Sequence, residues 1–230
     1  MKYRHIFFDL DHTLWDFEKN AEEALRELYL QYALHTLGDF KDDDLVRHFL
    51  VVNNELWNLY NTDKISQQEL RENRFPLVFT ALGIKTFSIC PQLAEDYMRI
   101  SPCKPHLLPF AKEVLNYLKH KYTLHLITNG FADMQSTKTN SSGITNYFSE
   151  VITSERAGSR KPHRQIFDFA LQVTQAQASE SIMIGDSWEC DVLGARNMGM
   201  DHIYYNPQEL AVDLTPTHNI RCLSELMHIL

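Results

Sequence analysis

HIFFDLDHTL, at residues 5–14, is the stretch of sequence that decides the fold of this chain. Its apolar run, residues 6–8, has the length of a buried strand and ends in Asp9 and Asp11, with Thr13 two positions further on. Side chains just past the carboxyl ends of strands in parallel α/β sheets face the ligand crevice. A spacing of two places both carboxylates on one side of an extended chain. Because carboxylates this close repel each other unless a cation lies between them, the stretch predicts a Mg²⁺ site.

The same residues also fit an ordinary turn between a strand and a helix. Aspartate favours turns and helix N-termini, so a strand followed by Asp-x-Asp has a purely structural explanation as well. These ten residues alone leave both explanations open, and the remainder of the chain has to distinguish them.

The composition is that of an ordinary globular protein. The 230 residues are 44% hydrophobic and 23% charged, enough for an α/β domain with an insertion. A net charge of -8 without a long Lys/Arg cluster disfavours binding to a nucleic acid polymer. The four cysteines form no Cys-x-x-Cys, which indicates neither a zinc site nor a disulfide framework and favours a reducing cytoplasm. No window approaches 18 apolar residues, and the first apolar segment is too short for a secretory signal, so we expect a cytoplasmic protein without a membrane span.

The chain from residue 16 to about residue 99 is predicted to be almost entirely helical. Apolar residues recur there at spacings of three and four, and Ser66 with Glu69 has the pattern of a capping box. The closely spaced prolines of residues 101–109 then oppose both helix and sheet, which indicates a linker.

Beyond the linker, the pattern alternates between strand and helix. Apolar runs end at Thr128 and at Gly185, and helices are predicted from Pro162 to Val173 and over residues 188–198. Such alternation predicts a parallel sheet with helices on both faces, as in Rossmann-like folds.

The first strand is separated from the rest of this sheet by roughly 85 residues, far more than the dozen or so that a right-handed crossover needs. We therefore predict an α/β core formed by residues 1–15 and 103–230, and an α-helical cap formed by residues 16–102. The cap is expected above the carboxyl ends of the strands, over Asp9 and Asp11.

Three further groups of residues end strands or begin helices of the predicted core. Thr128 and the backbone at Asn129 could hold phosphate oxygens, although Thr-Asn-Gly is also a routine turn. Lys161 could neutralise a nucleophile and a transferring phosphoryl group, or could be an ordinary solvated lysine. Asp186 could be a ligand of a hard cation with Asp191 as its supporting partner, whereas helix capping is the structural alternative for Asp186.

Taken in order, these groups resemble the four motifs of the haloacid dehalogenase-like hydrolase superfamily. The resemblance spans residues 4 to about 205 and includes a helical cap of type C1 inserted after the first motif. Within the superfamily the chain is similar to the pyrimidine 5′-nucleotidase subgroup active on noncanonical nucleotides. This narrower resemblance rests on residues 9–14, on the cap stretch with Trp57, Tyr60, Ile65, Leu70 and Arg74-Phe75, and on residues 127–131. One departure is Phe110, where relatives commonly have glycine.

The resemblance implies a mechanism for the site. Asp9 would attack phosphorus to form an aspartyl-phosphate, and Asp11 would protonate the leaving oxygen and then take a proton from water. The phosphoryl oxygens would be held by Thr128, the Asn129 amide and Lys161. Mg²⁺ would be bound by the Asp9 carboxylate, the Asp11 backbone carbonyl and Asp186, with Asp191 orienting the site.

The implied substrate is a small phosphorylated metabolite, and the subgroup favours a nucleoside 5′-monophosphate. Trp57, Tyr60 and His12 are candidate substrate contacts, with packing as the alternative for each. An acid at position 11 favours phosphoryl transfer over dehalogenation, because a halide leaves without a proton. The alternatives are a sugar-phosphate phosphatase, a phosphoglucomutase-type isomerase, and a phosphate-accepting signalling protein or non-catalytic binding protein.

Overall fold

The fold is seen in a computed structural model that describes residues 2–230. Its six strands are β1 (His5–Phe8), β2 (Thr123–Thr128), β3 (Phe148–Thr153), β4 (Ser181–Gly185), β5 (Asp201–Tyr205) and β6 (His218–Ile220). The α-helices in the described residues are α1 (Phe17–Gln31), α2 (Asp42–Asn61), α3 (Gln67–Ala81), α4 (Cys90–Ile100), α5 (Ala111–Leu118), α6 (Ala132–Ser141), α7 (Ser154–Ala157), α8 (Arg164–Thr174), α9 (Gly194–Asn197) and α10 (Leu226–Ile229).

All six strands form one parallel sheet in the order β3-β2-β1-β4-β5-β6, which confirms the predicted Rossmann-like α/β fold. Strand β1 is central because Ile6, Phe7 and Phe8 have no exposed surface and pack on both faces. The chain builds β2 and β3 on one side of β1 and then β4 to β6 on the other. The carboxyl end of β1 is therefore the point where the strand order reverses, the usual position of a ligand crevice.

Contacts divide the chain into two compact units. The α/β unit contains the residues up to Asp16 together with Pro105–Leu230, and the helical unit is Phe17–Lys104, with helices α1 to α4. The helical unit has an aromatic centre in which Phe49 and Tyr97 lie 4.7 Å apart by ring centroids. Within the described chain, no helix combines the length and the apolarity that crossing a membrane requires.

Two helices begin differently from the sequence prediction. Helix α8 begins at Arg164 rather than at Pro162. The helix expected over residues 188–198 opens instead as a π-helical turn, Trp188–Leu193, before α9. The Ser187 carbonyl accepts from the amides of both Asp191 and Val192, and this wider turn lets the Asp191 side chain fold back onto the Ser187 amide.

The turn before α5 shows how the chain replaces the glycine of the family pattern. Phe110 has a φ of 66°, in the left-handed region that glycine adopts most easily, and its side chain is exposed. The turn is therefore kept with a phenylalanine in its place.

Candidate active site

The polar residues predicted for the site follow adjacent strands of the sheet. Asp9 comes directly after β1, Thr128 is the last residue of β2, and Asp186 comes directly after β4. The Asp9 amide donates to the Ile184 carbonyl at 2.9 Å, which fixes the chain at this edge. Because parallel strands end together, residues far apart in sequence meet at one crevice.

Lys161 lies between two of the predicted carboxylates. Its Nζ donates to Oδ1 of Asp9 and to Oδ1 of Asp191, both at 2.6 Å, and the residue is only 2% exposed. Burial works to lower the pKa of Lys161, but the charges of Asp191 and Asp9 outweigh it, so the pKa lies above its ordinary value. The ammonium is therefore a permanent positive charge beside Asp9.

The side chain of Asn129 fixes the backbone that carries Lys161. Asn129 Nδ2 donates to the Lys161 carbonyl at 2.9 Å, and the Lys161 amide donates to Asn129 Oδ1 at 2.8 Å. The Lys161-Pro162 peptide bond is cis. The Asn129 side chain is therefore engaged by the Lys161 backbone, and the group of Asn129 predicted to bind phosphate is its backbone amide.

Three carboxylates form a cluster suited to a hard cation. Oxygens of Asp9, Asp186 and Asp191 all lie within 4.8 Å of one another. Burial, opposed by the Lys161 charge, raises the pKa of Asp9 from 3.8 to about 7, and burial likewise raises the pKa of Asp186 to about 6. The pKa of Asp191 is also raised, again chiefly by burial. When all three carboxylates are ionised, one ammonium leaves the cluster with an excess of two negative charges, which a divalent cation would neutralise.

Local contacts orient two members of this cluster. The Thr13 hydroxyl donates to Asp186 Oδ1 at 3.1 Å and accepts from the Asp186 amide at the same distance. The Ser187 amide donates to Asp191 Oδ2 at 3.0 Å, so both oxygens of Asp191 already have donors. Position 185 must be glycine, because a Cβ there would stand 2.1 Å from Asp191 Oδ2.

Thr128 is buried at the tip of β2 with its hydroxyl oxygen already engaged. The Gly130 amide donates to Thr128 Oγ1 at 3.0 Å, which leaves the hydroxyl hydrogen available for a further acceptor. The buried carboxamide of Gln135 packs on Gly130, where an added Cβ would lie 2.0 Å from Gln135 Nε2. This turn can therefore present a hydroxyl donor to an anion.

Asp11 has a partner that the sequence analysis missed. Lys138, on α6, donates to both Asp11 oxygens, at 2.6 and 2.8 Å, and its ammonium lies 4.5 Å from the centroid of the Trp15 ring. In the sequence, Lys138 is one polar residue in a polar helix, a setting in which lysine is normally solvated. No local signal distinguished it from its neighbours.

The predicted substrate contacts lie in different units of the molecule. His12 is exposed, with a φ of 61°, in the α/β unit next to Asp11. Trp57 and Tyr60 lie on α2 in the helical unit, where their rings meet edge to face with centroids 5.4 Å apart. Tyr60 is buried and Trp57 partly exposed, so the aromatic pair serves at least as packing.

Comparisons with known proteins identify the family of the chain. The family model described as haloacid dehalogenase-like hydrolase matches residues 6–205. Pyrimidine 5′-nucleotidase YjjG of Escherichia coli (strain K12) is 31% identical, covering 100% of this chain and 99% of its own length. Pyrimidine 5′-nucleotidase PynA of Streptococcus pneumoniae (strain ATCC BAA-255 / R6) is 30% identical, covering 100% and 96%. The crystal structure of the putative HAD-hydrolase YfnB from Bacillus subtilis, bound to magnesium, has a TM-score of 0.88 at 27% identity, covering 100% and 99%.

Proposed function

The chain belongs to the haloacid dehalogenase-like hydrolases, and from that membership we propose that it is a Mg²⁺-dependent phosphomonoester hydrolase that forms an aspartyl-phosphate on Asp9. One observation carries the proposal. Asp9 lies buried at the end of the central strand, with the Lys161 ammonium at 2.6 Å and two further carboxylates nearby. A carboxylate in such a setting is an oriented nucleophile with its charge partly neutralised.

In the first half of the reaction, an Asp9 oxygen forms a bond to phosphorus while the bond from phosphorus to the leaving oxygen breaks. Lys161 reduces the repulsion between Asp9 and the anionic phosphoryl group, and the Thr128 hydroxyl and the Asn129 backbone amide donate to the phosphoryl oxygens. The Asn129 side chain keeps Lys161 in position through its two hydrogen bonds to the Lys161 backbone.

Asp11 moves the protons in both halves. It gives a proton to the departing alkoxide and later takes one from the water that attacks phosphorus and breaks the bond to Asp9. Position 11 suits this role because its carboxylate lies two residues beyond the nucleophile and is partly exposed.

The residues present fit a magnesium ion. The donors of the Asp9, Asp186 and Asp191 cluster are all carboxylate oxygens, the ligands that Mg²⁺ prefers, and their net charge is negative. We assign Asp9, the Asp11 backbone carbonyl and Asp186 as ligands, and Asp191 as an orienting residue because both of its oxygens already accept hydrogen bonds. When bound, Mg²⁺ supplies positive charge that stabilises the transferring phosphoryl group.

The substrate that we propose is a nucleoside 5′-monophosphate. The support is the similarity over the whole chain to two pyrimidine 5′-nucleotidases. The partly exposed ring of Trp57, which packs against the buried Tyr60, is the candidate face for stacking of a base. His12, exposed beside Asp11, is a further candidate contact.

The test is a panel of nucleoside monophosphates and sugar phosphates with and without Mg²⁺, measured by release of inorganic phosphate. Asp9→Asn should reduce every rate by more than about 10³-fold, since removing a covalent nucleophile abolishes the two-step route. Asp168→Asn, at a surface carboxylate of the same unit, is the matched control and should leave the rates unchanged.

Three results would overturn parts of this proposal. If the Asp9→Asn variant still hydrolyses the substrates, Asp9 is not the nucleophile. An isomerised product without free phosphate would indicate a mutase. A strong preference for sugar phosphates would contradict the proposal that the substrate is a nucleotide. Trp57→Ala should narrow the discrimination among nucleotides, and unchanged discrimination would remove that aromatic from the substrate site.

A further inference from the structure

Lys138 is a buried cation that the proposed mechanism does not use. It is 4% exposed, and it contacts both carboxylate oxygens of Asp11, at 2.6 and 2.8 Å, across 127 positions of sequence. Both oxygens of the Asp11 carboxylate therefore accept from one ammonium.

The surroundings of the pair are asymmetric. The Lys138 ammonium is covered by the ring of Trp15, which is itself fully buried, whereas the Asp11 side chain keeps 23% of its surface exposed. A cation over an aromatic face is held by the ring quadrupole. The fixed member of the pair is therefore the lysine, and the carboxylate is the member that can reach a ligand.

Stability alone accounts poorly for such a pair. Removing two charges from water costs about as much free energy as their attraction returns, so a buried ion pair adds little to the net stability of a fold. A buried lysine aimed at a carboxylate beside a nucleophile is instead a means of fixing the direction of that carboxylate.

Helix α6 connects this pair to the rest of the site. It begins at Ala132, directly after the turn of Thr128 and Gly130, and carries Lys138 in its second half. The element that follows the candidate phosphate-binding turn thus also carries the cation bound to Asp11.

We propose that Lys138 is a positioning residue for Asp11, an inference that rests on the proposed phosphatase function. When Asp11 carries a proton, one oxygen still accepts from the Lys138 ammonium, and the protonated oxygen is directed to the leaving group. As the bond from phosphorus to the leaving oxygen breaks, that proton moves to the leaving oxygen and both Asp11 oxygens accept from Lys138 again. Lys138 gives up no proton of its own.

The role can be measured through the leaving group. Phenyl phosphate and p-nitrophenyl phosphate differ little in size, but p-nitrophenolate leaves readily without a proton and phenolate does not. Lys138→Met should lower kcat/KM for phenyl phosphate by about 100-fold, the low end of the range for general acid catalysis, and for p-nitrophenyl phosphate by only a few-fold. Here kcat/KM reports the steps up to formation of the aspartyl-phosphate.

Two further variants make the test specific. Lys138→Arg keeps a charged donor for Asp11 and should retain more of the phenyl phosphate activity than Lys138→Met. In the Asp11→Asn background, Lys138→Met should have no additional effect, because the residue acts only through Asp11. Lys112→Met, at an exposed lysine on α5, is the control and should leave kcat/KM unchanged for both esters.

Equal losses on the two esters, additive losses in the double variant, or no advantage of arginine over methionine would each overturn the proposal. If Lys138→Met does not fold, the arginine variant and the double variant, which removes both charges of the pair, still decide the question. Failure of the phosphatase function is distinguishable, since it would appear as a wild-type protein inactive on both esters.

Discussion

Lys161 in the α/β unit and Arg74 in the helical unit are both buried cations, but their surroundings are opposite. Lys161 contacts two carboxylates at 2.6 Å. Arg74, 5% exposed, has its guanidinium carbon 5.7 and 5.6 Å from the ring centroids of Phe49 and Tyr97, and no carboxylate in the described part of the chain pairs with it.

The pKa values of the two cations follow from these surroundings. The carboxylates raise the pKa of Lys161 despite its burial, whereas burial lowers the pKa of Arg74. Aromatic faces hold a cation without supplying an opposite charge. Carboxylates therefore surround the buried cation of the candidate active site. In the helical unit, the buried cation Arg74 is packed against aromatic rings instead.

The largest effect on the free energy of unfolding is expected from Lys161→Met, which leaves its two carboxylate partners without their cation. Turnover should fall by about 10²–10³-fold, because the charge that stabilises the phosphoryl group is lost. The free energy of unfolding at pH 8 should fall by about 3–5 kcal/mol, the range for breaking a buried ion pair from one side. Urea denaturation and steady-state phosphate release measure the two quantities, and an unchanged free energy of unfolding would contradict the comparison.

The second effect concerns pH and Mg²⁺. The pKa values of Asp9 and Asp186 are raised from 3.8 to about 7 and about 6. Between about pH 4 and pH 7, these two groups therefore bind more protons in the folded protein than in the unfolded chain. Without metal, the contribution of these two carboxyls to stability is therefore complete below about pH 4 and is lost as the pH rises to about 7. Saturating Mg²⁺ at about 100 times its Kd adds roughly 2.7 kcal/mol, which should appear as a larger increase of Tm at pH 8 than at pH 5.

This dependence has its own control. Asp9→Asn removes one carboxylate of the cluster, so between pH 5 and pH 7 the metal-free stability of the variant should become more favourable relative to that of the wild type. An increase of Tm with Mg²⁺ that is the same at both pH values, or larger at pH 5, would show that these carboxylates do not hold the ion.

The smallest effect is expected from Arg74→Met, the same kind of substitution as Lys161→Met at the other buried cation. The free energy of unfolding should change by less than about 1 kcal/mol, because no buried counter-charge is left behind and methionine packs well against aromatic rings. Urea denaturation of the two methionine variants side by side gives the contrast directly. A loss for Arg74→Met as large as that for Lys161→Met would reveal an anion paired with Arg74.

The sequence predicted the sheet because strands buried on both faces are written as short apolar runs. Residues 6–8, the run ending at Thr128 and the run ending at Gly185 all became neighbouring parallel strands. The start of α8 and the π-helical turn at Trp188 were missed. The π-helical turn is fixed by hydrogen bonds among residues 187–192, and the apolar spacing of the sequence does not distinguish such a turn from an α-helix.

For the site, the sequence by itself supplied the chemical types and their order. Asp9, Asp11, Thr128, Lys161 and Asp186 stand beside strand ends or helix starts, and the rule that parallel strands end at one edge was enough to expect them together. Their roles stay predictions until the variants above are measured.

Tertiary structure alone decided which partner each charge has. That Lys161 bridges Asp9 and Asp191, and that Lys138 holds Asp11, depends on contacts between residues separated by 30 to 152 positions. A local pattern records the period and the ends of an element, but a charge pair depends on distance and burial in three dimensions. Distance and burial are set only when the helices pack on the sheet. The sequence of the polar helix α6 therefore could not show that Lys138 pairs with Asp11.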